Sequence, residues 1–299
     1  MATAATVPTA AARVRRRRSS ARSRMPTAAW WAVCVAFAAM FIYPLYVAIA
    51  ASLKGPKEAA AIPPTLYPHN ISLQNYSDLR GGQSSINVFH NILNSAMVSI
   101  GATVATVIIA TLGGYAFAKL RFPGSNVVFF ATLATFMIPF QAIITPLYIV
   151  LKDLGLQNTL LGLGLVYTTF NLPFGLFLMR NSFSAVPGTL EEAALIDGCR
   201  PLGAMWHVML PVALPGVITT ALFTFFATWN EFFAALILIS DQSKFTLPVT
   251  LTLISSGVFG SINWGMLQAG VAVTMVPCIV LYLLLQRYYV GGLLSGALK

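Results

Sequence analysis

The sequence predicts an all-α membrane protein of six transmembrane helices, with one short helix on the cytoplasmic side between the fourth and fifth. Three observations carry that prediction. Of 299 residues, 57% are apolar and only 9% charged, and mean hydropathy is +0.77, a balance foreign to water-soluble domains of this size. Six apolar runs reach the roughly 20 residues that a helix needs to cross a bilayer. Between the fourth and fifth of them lies an acidic island, LEEAALIDG (190–198), with three of the chain's eight acidic residues.

Residues 1–25 hold seven arginines, in RVRRRRSSARSR, before the first apolar run. With no aromatic residue among them to stack on bases, they do not point to nucleic acid. Basic residues ahead of a span mark the cytoplasmic side, and an unstructured basic tail lies well beside anionic lipid headgroups. The first predicted span, 26–51, ends in Ala48-Ile49-Ala50, which looks like a signal-peptidase site. The run is nevertheless longer than the 7 to 15 residues or so of a signal's apolar core, so it reads as a span.

The remaining spans are predicted at 91–118, 126–150, 158–179, 212–240 and 264–286, giving a transmembrane domain over 26–286 and a tail over 287–299. In the second span Gly101 and Ala105, then Gly113-Gly114, have the small-residue spacing that lets helices approach closely. Pro139, Pro146 and Pro173 interrupt the hydrogen-bond ladders of the third and fourth. Even parity puts both termini on one side. If that side is cytoplasmic, inner segments carry thirteen basic residues and outer segments five, Lys54, Lys57, Arg80, Lys152 and Lys244, as the positive-inside bias requires. Long loops then lie outside at 52–90 and 241–263. Inside lie the turn LRFPGS and the 180–211 loop with its acidic island.

In VPGTLEEAALIDG, Thr189 has the place of an N-cap, Glu192 that of its capping-box partner, and Gly198 that of a left-handed C′ residue. Glu191 and Glu192 in the first turn also suit the helix dipole. At 100° per residue Leu190, Ala193, Ala194 and Asp197 form one stripe, while Glu192, Leu195 and Ile196 lie opposite. So short a helix with apolar surface on both sides should be held from both, by its own membrane domain and by a partner protein.

These residues resemble the EAA loop of permeases in binding-protein-dependent ABC importers: Glu192-Ala193-Ala194, Asp197-Gly198, then eleven residues before Leu210-Pro211. FPGS after the second span, MIPFQAIITPLYIV in the third, WNEF in the fifth and QRYYVGGLLSGALK at the end are similar to the smaller permease of maltose-type sugar importers. Cys199 departs from the alanine usual in that family, and Gly188 from a basic or polar residue. The resemblance implies that Glu191, Glu192, Ala193, Ala194, Leu195, Ile196, Asp197 and Gly198, with Leu210 and Pro211, form a coupling helix and its frame, seated on a cytoplasmic ATPase. It implies as partners a homologous sister permease, two ATPase copies and an extracytoplasmic solute-binding protein, in a bacterial inner membrane. With no GxxxxGK[ST] phosphate loop, this chain is expected to hold no cofactor, and ATP and Mg belong to the ATPase.

Glu231, in ALFTFFATWNEFFAALIL, is the one formal charge deep in an apolar run, where a charge marks function by default. On a regular helix its face holds Thr224 and Thr228, so these residues, with Asn230 and with Gln141 of the third span, are candidates for the translocation path. Asn230 either faces that path or makes an interhelical hydrogen bond. Trp229 falls about 160° from Glu231 and reads as packing. The outer loop from 245 to 263 either enters a partner's cleft or is a plain connector.

An ion-coupled secondary transporter is the rival class, opposed by a single intramembrane acid and no visible repeat. A membrane enzyme is opposed by His69, His90 and His207 lying outside the spans without a nucleophile or metal spacing, and Cys34, Cys199 and Cys278 have no ligand spacing. No lysine or arginine lies within the predicted spans, which favours a neutral sugar over a sugar-like phosphate; a polyol remains open.

Overall fold

The computed structural model describes residues 27–81, 87–258 and 262–297, with the backbone alone beyond Gln286. The basic tail of 1–25 lies outside the described residues. The chain divides into two compact units, Met1–Leu45 and Tyr46–Lys299. In the first, the described residues are the start of helix α1 (Thr27–Ser52), an apolar helix with Pro44 inside it.

In the second unit α1 is followed by the short helices α2 (Pro56–Ala59) and α3 (Gln74–Asp78) and by the long span α4 (Val88–Lys119). Next come α5 (Ser125–Thr135), α6 (Phe140–Asp153) and α7 (Leu160–Ala185), then α8 (Gly188–Ile196) and α9 (Pro201–Ala204). A five-residue π turn, Met205–Met209, leads without a break into α10 (Leu210–Trp229). The chain continues through α11 (Phe233–Leu238), a 3₁₀ turn, α12 (Leu247–Ser255) and α13 (Trp264–Ala297).

Two predicted spans are not single helices. The third, expected over 126–150, is the pair α5 and α6, bent by 99° between Thr135 and Phe140. Pro139, in the extended N-cap position of α6 (φ −63°, ψ 129°), has no N–H to continue the ladder, and the chain turns there. Pro146 and Pro173 sit instead inside continuous helices. The fifth, expected over 212–240, ends its helix at Trp229 and resumes as α11 at Phe233, after three intervening residues. The sixth continues past the expected 286 as backbone helix to Ala297.

The core is built where α4, α7 and α10 cross. Gly114 lets α4 approach α7 backbone to backbone: a Cβ there would lie 2.5 Å from Met179 Cβ and 2.8 Å from the Met179 carbonyl carbon. Gly101 meets no other helix among the described residues, since nothing lies within 4 Å of where its Cβ would be. With Ala105, Gly164 and Thr168 it lines an open groove of about 310 Å³ on the α4–α7 surface.

At its N-terminal end α4 carries Asn91, Asn94 and Ser95 at helical spacing, all buried, and they organise the 241–263 loop. Asn94 donates to the Ser243 and Phe245 carbonyls (2.8 and 3.1 Å), Ser95 Oγ accepts from the Leu247 amide (2.7 Å), and Asn91 donates to Thr250 Oγ1 (2.6 Å). This anchors α12, whose Leu247, Val249 and Thr250 are fully buried. The loop thus carries a nine-residue helix packed against α4.

Candidate functional site

Helix α8 begins right after α7, with only Val186 and Pro187 between them. That short link puts Pro187 in the N-cap position and Thr189 inside the helix, so the capping box expected from Thr189 and Glu192 does not form. The end is as the sequence predicts. Gly198 adopts φ +87°, its amide donates to the Leu195 carbonyl (3.1 Å) and the Cys199 amide to the Ala194 carbonyl (3.0 Å), a Schellman pair that closes the helix.

The two sides of α8 meet different surroundings. Ala194 is buried against the membrane domain, while Ile196 is 85% exposed, with Leu195 and Glu192 also exposed. Glu191 turns inward and its Oε1 accepts from the Tyr115 hydroxyl at 2.6 Å. The same hydroxyl lies 3.2 Å from the Pro201 carbonyl, so one residue of α4 meets both the start of α8 and the start of α9. Lys119 donates to the Val186 carbonyl (2.8 Å), closing the C-terminus of α7. A groove of about 870 Å³ separates α8 from the α4–α5 turn, with Lys119 and Arg121 on one wall and Glu191, Glu192 and Leu195 on the other.

Leu210 and Pro211 open α10 directly after the π turn, where the Leu210 amide reaches back five residues to the Met205 carbonyl. The extra residue in the ladder accompanies full burial of Met205 and Met209, while Trp206 and Leu202 stay 53% and 61% exposed. Ile196, Leu202 and Trp206 are thus the large apolar residues that the 180–211 loop leaves most open. Sequence reading missed Tyr115 and Lys119, whose signal is a polar-tipped side chain in the last turns of a span beside a glycine pair.

Glu231 lies in the gap between α10 and α11, and so does not share a helical face with Thr224 and Thr228. Its Oε1 accepts the Ala234 amide (2.8 Å), and its Oε2 accepts the Ala235 amide (3.2 Å) and the Tyr167 hydroxyl (2.8 Å). The carboxylate therefore satisfies the first amides of α11 and ties that helix to α7. Tyr167, Ala234 and Ala235 belong to one buried cluster, with Phe140, Phe170 and Phe233 packed against it.

Thr224 and Thr228 are 3% and 4% exposed, and Thr228 Oγ1 donates to the Thr224 carbonyl (2.9 Å), as a threonine buried in a helix does. Asn230 is exposed, donates to the Phe226 carbonyl (2.9 Å) and lies 4.0 Å from Cys278 Sγ. Gln141 is exposed in the first turn of α6, just past the bend. Trp229 is buried, stacked on Phe225 and donating to the Thr274 carbonyl (3.0 Å), so it is a packing residue.

Among known proteins, the family model for binding-protein-dependent transport system inner membrane components matches residues 109–292. The chain is 31% identical over 268 residues to the diacetylchitobiose uptake system permease protein NgcG of Streptomyces coelicolor, covering 90% of this chain and 87% of that one. It is 33% identical over 234 residues to the trehalose transport system permease protein SugB of Mycobacterium tuberculosis, covering 78% and 84%. Its fold is similar, at a TM-score of 0.74 and 23% identity over 88% of this chain and 96% of the other, to a chain of a bacterial ABC transporter involved in the import of the acidic polysaccharide alginate. The family match spans more than half of the chain, and it shows that the protein is an inner-membrane component of a binding-protein-dependent transport system, the permease subunit of an ABC importer.

Proposed function

We propose that this chain forms half of the path by which a sugar or oligosaccharide, delivered by an external binding protein, crosses a bacterial inner membrane. A homologous sister permease supplies the other half. ATP, with Mg, is hydrolysed on two copies of a cytoplasmic ATPase, and α8 receives the resulting motion. Both termini lie on the cytoplasmic side. The carbohydrate class is supported by the relatives that serve diacetylchitobiose and trehalose uptake.

The observation that carries the coupling role is the asymmetry of α8. Its inner side is fastened through Ala194 and through Glu191 on Tyr115, while Ile196, 85% exposed, faces away from the chain's own core. A nine-residue helix fastened on one side passes a push on its free side to α4 and, through Pro201 and the π turn, to α10.

Glu192→Lys and Gly198→Asp test this in the complete transporter. The first reverses a charge on the free side; the second places a side chain at a left-handed position, at roughly 1–2 kcal/mol. Both are expected to abolish uptake and reduce co-purification of the ATPase, while solute capture by the binding protein is unchanged. Normal transport by both variants rules the coupling role out.

A further inference from the structure

At one depth of the membrane three phenylalanines from three spans meet. Phe136 stacks near-parallel on Phe174 (centroids 6.1 Å apart, 24° between planes), and Phe174 meets Phe223 edge to face (5.5 Å, 75°). Phe136 follows the eleven residues of α5, Phe174 lies eleven residues before the end of α7, and Phe223 thirteen after the start of α10. At about 1.5 Å per residue, Phe136 and Phe174 sit about 16–17 Å from the cytoplasmic ends of α5 and α7, near the bilayer middle, and Phe223, in contact with Phe174, lies at the same depth. The cluster is not closed over: Phe136 is 62% and Phe223 44% exposed.

Phenylalanine facing lipid is ordinary, so what identifies this face is its backbone. At the α5–α6 bend, at mid-depth, the amides of Phe136, Met137 and Ile138 bond back three residues to Leu133, Ala134 and Thr135, but no backbone amide among the described residues donates to the carbonyls of 136–138, and all three residues are exposed. Lipid cannot satisfy such groups, and irregular backbone at this depth is found against protein or water. Asn230, seven residues after Phe223, falls within about 20° of it around α10, with exposed Ala227 between them. An exposed carboxamide at the broken end of a span is equally out of place in hydrocarbon.

We infer that Phe136, Phe174 and Phe223, with Asn230 above them, form a sugar-contacting wall of the translocation path contributed by this chain. The inference rests on the carbohydrate reading above and assigns that reading a site. A pyranose ring offers an apolar C–H face, which suits the electron-rich face of an aromatic ring, and hydroxyls at its rim, which suit an amide that both donates and accepts. None of the four residues carries a charge, so the wall suits a neutral saccharide. Phenylalanine also adds no hydrogen bond of its own, and weak, repeated contacts let a solute leave as readily as it enters.

The test uses the complete transporter in proteoliposomes, with labelled trehalose and N,N′-diacetylchitobiose as probes. Phe223→Ala and Phe136→Ala are expected to lower uptake of the transported sugar by about tenfold, equivalent to about 1.4 kcal/mol of lost contact. Phe223→Tyr should retain uptake, and binding-protein-stimulated ATP hydrolysis, which reports folding and assembly, should persist in all three. In a variant freed of Cys34, Cys199 and Cys278, Ala227→Cys is expected to react with a small charged methanethiosulfonate in at least one nucleotide state.

Wild-type sugar uptake in both alanine variants overturns the wall. So does an Ala227→Cys thiol protected in every state, which would place lipid or the sister permease on this face. A wild-type transporter that carries neither probe but imports a non-sugar solute overturns the carbohydrate reading, whatever the labelling shows, and the sugar assignment of the wall with it.

Discussion

The Tyr115 hydroxyl donates to Glu191 Oε1 at 2.6 Å, fastening the C-terminal end of α4 to the first turn of α8. Tyr115 is 2% exposed, so it is α8 that comes to meet the span. A hydrogen bond to a charged group contributes about 1.5–3 kcal/mol, and removing the donor leaves a half-buried carboxylate short of a partner. Tyr115→Phe is therefore expected to lower the thermal stability of the purified complex and to reduce solute moved per ATP hydrolysed. Glu191→Gln keeps an acceptor for the hydroxyl and should lie between Tyr115→Phe and wild type in both measurements.

Glu231 holds three donors at the gap between α10 and α11. Glu231→Ala orphans all three, at about 1–3 kcal/mol for each group left without a partner. It should fail to accumulate in membranes. Glu231→Gln retains one acceptor oxygen, and Tyr167→Phe removes one donor together with the need for it, so both should assemble. Measuring uptake and basal ATP hydrolysis in Glu231→Gln then separates a structural from a transport role, and wild-type values for both confine this residue to structure.

Outside the membrane, Glu58 Oε1 accepts from the His69 amide (3.0 Å) and Thr65 Oγ1 (3.1 Å), and lies 2.8 Å from His69 Nδ1. The hydrogen bond with the His69 side chain is the largest cause that draws the Glu58 carboxyl from its ordinary 4.5 to about 2. A depressed carboxyl contributes stability that is fully present above its unfolded value and is lost as pH falls through the folded one. Hydrogen exchange of the His69 amide, corrected for intrinsic rate, should thus accelerate as pH falls from 4.5 towards 2. Glu58→Gln should remove that pH dependence.

Gly114 and Gly101 lie on the same span and make opposite predictions. A Cβ at Gly114 meets the Met179 backbone at 2.8 Å, so Gly114→Ala forces α4 and α7 apart and should cost about 1–3 kcal/mol. Gly101→Ala meets nothing within 4 Å and should fold as wild type. Thermal unfolding of the two in the same detergent provides the comparison.

Local chemistry made much of this protein legible. Each apolar run is its own evidence of burial in lipid, because a backbone in hydrocarbon has to bond within its own segment, and so the spans appear near their expected places. The C-terminus of α8 was equally readable, since Gly198 meets a demand made by its immediate neighbours. The start of α8 was not, because the two-residue link from α7, rather than Thr189, sets it.

What only the tertiary structure decided are relationships between segments distant in sequence. Neither the 99° bend after α5 nor the gap at Glu231 shows as a loss of hydropathy, as both sit within apolar runs. Glu231 resembled a lone charge until Tyr167, 64 residues earlier, and the amides of α11 supplied its partners. Glu191 read as a residue suited to the helix dipole until α4 brought Tyr115 across a separation of 76 residues. A polar atom's energy depends on what satisfies it after folding, and hydropathy weighs each residue without its partners.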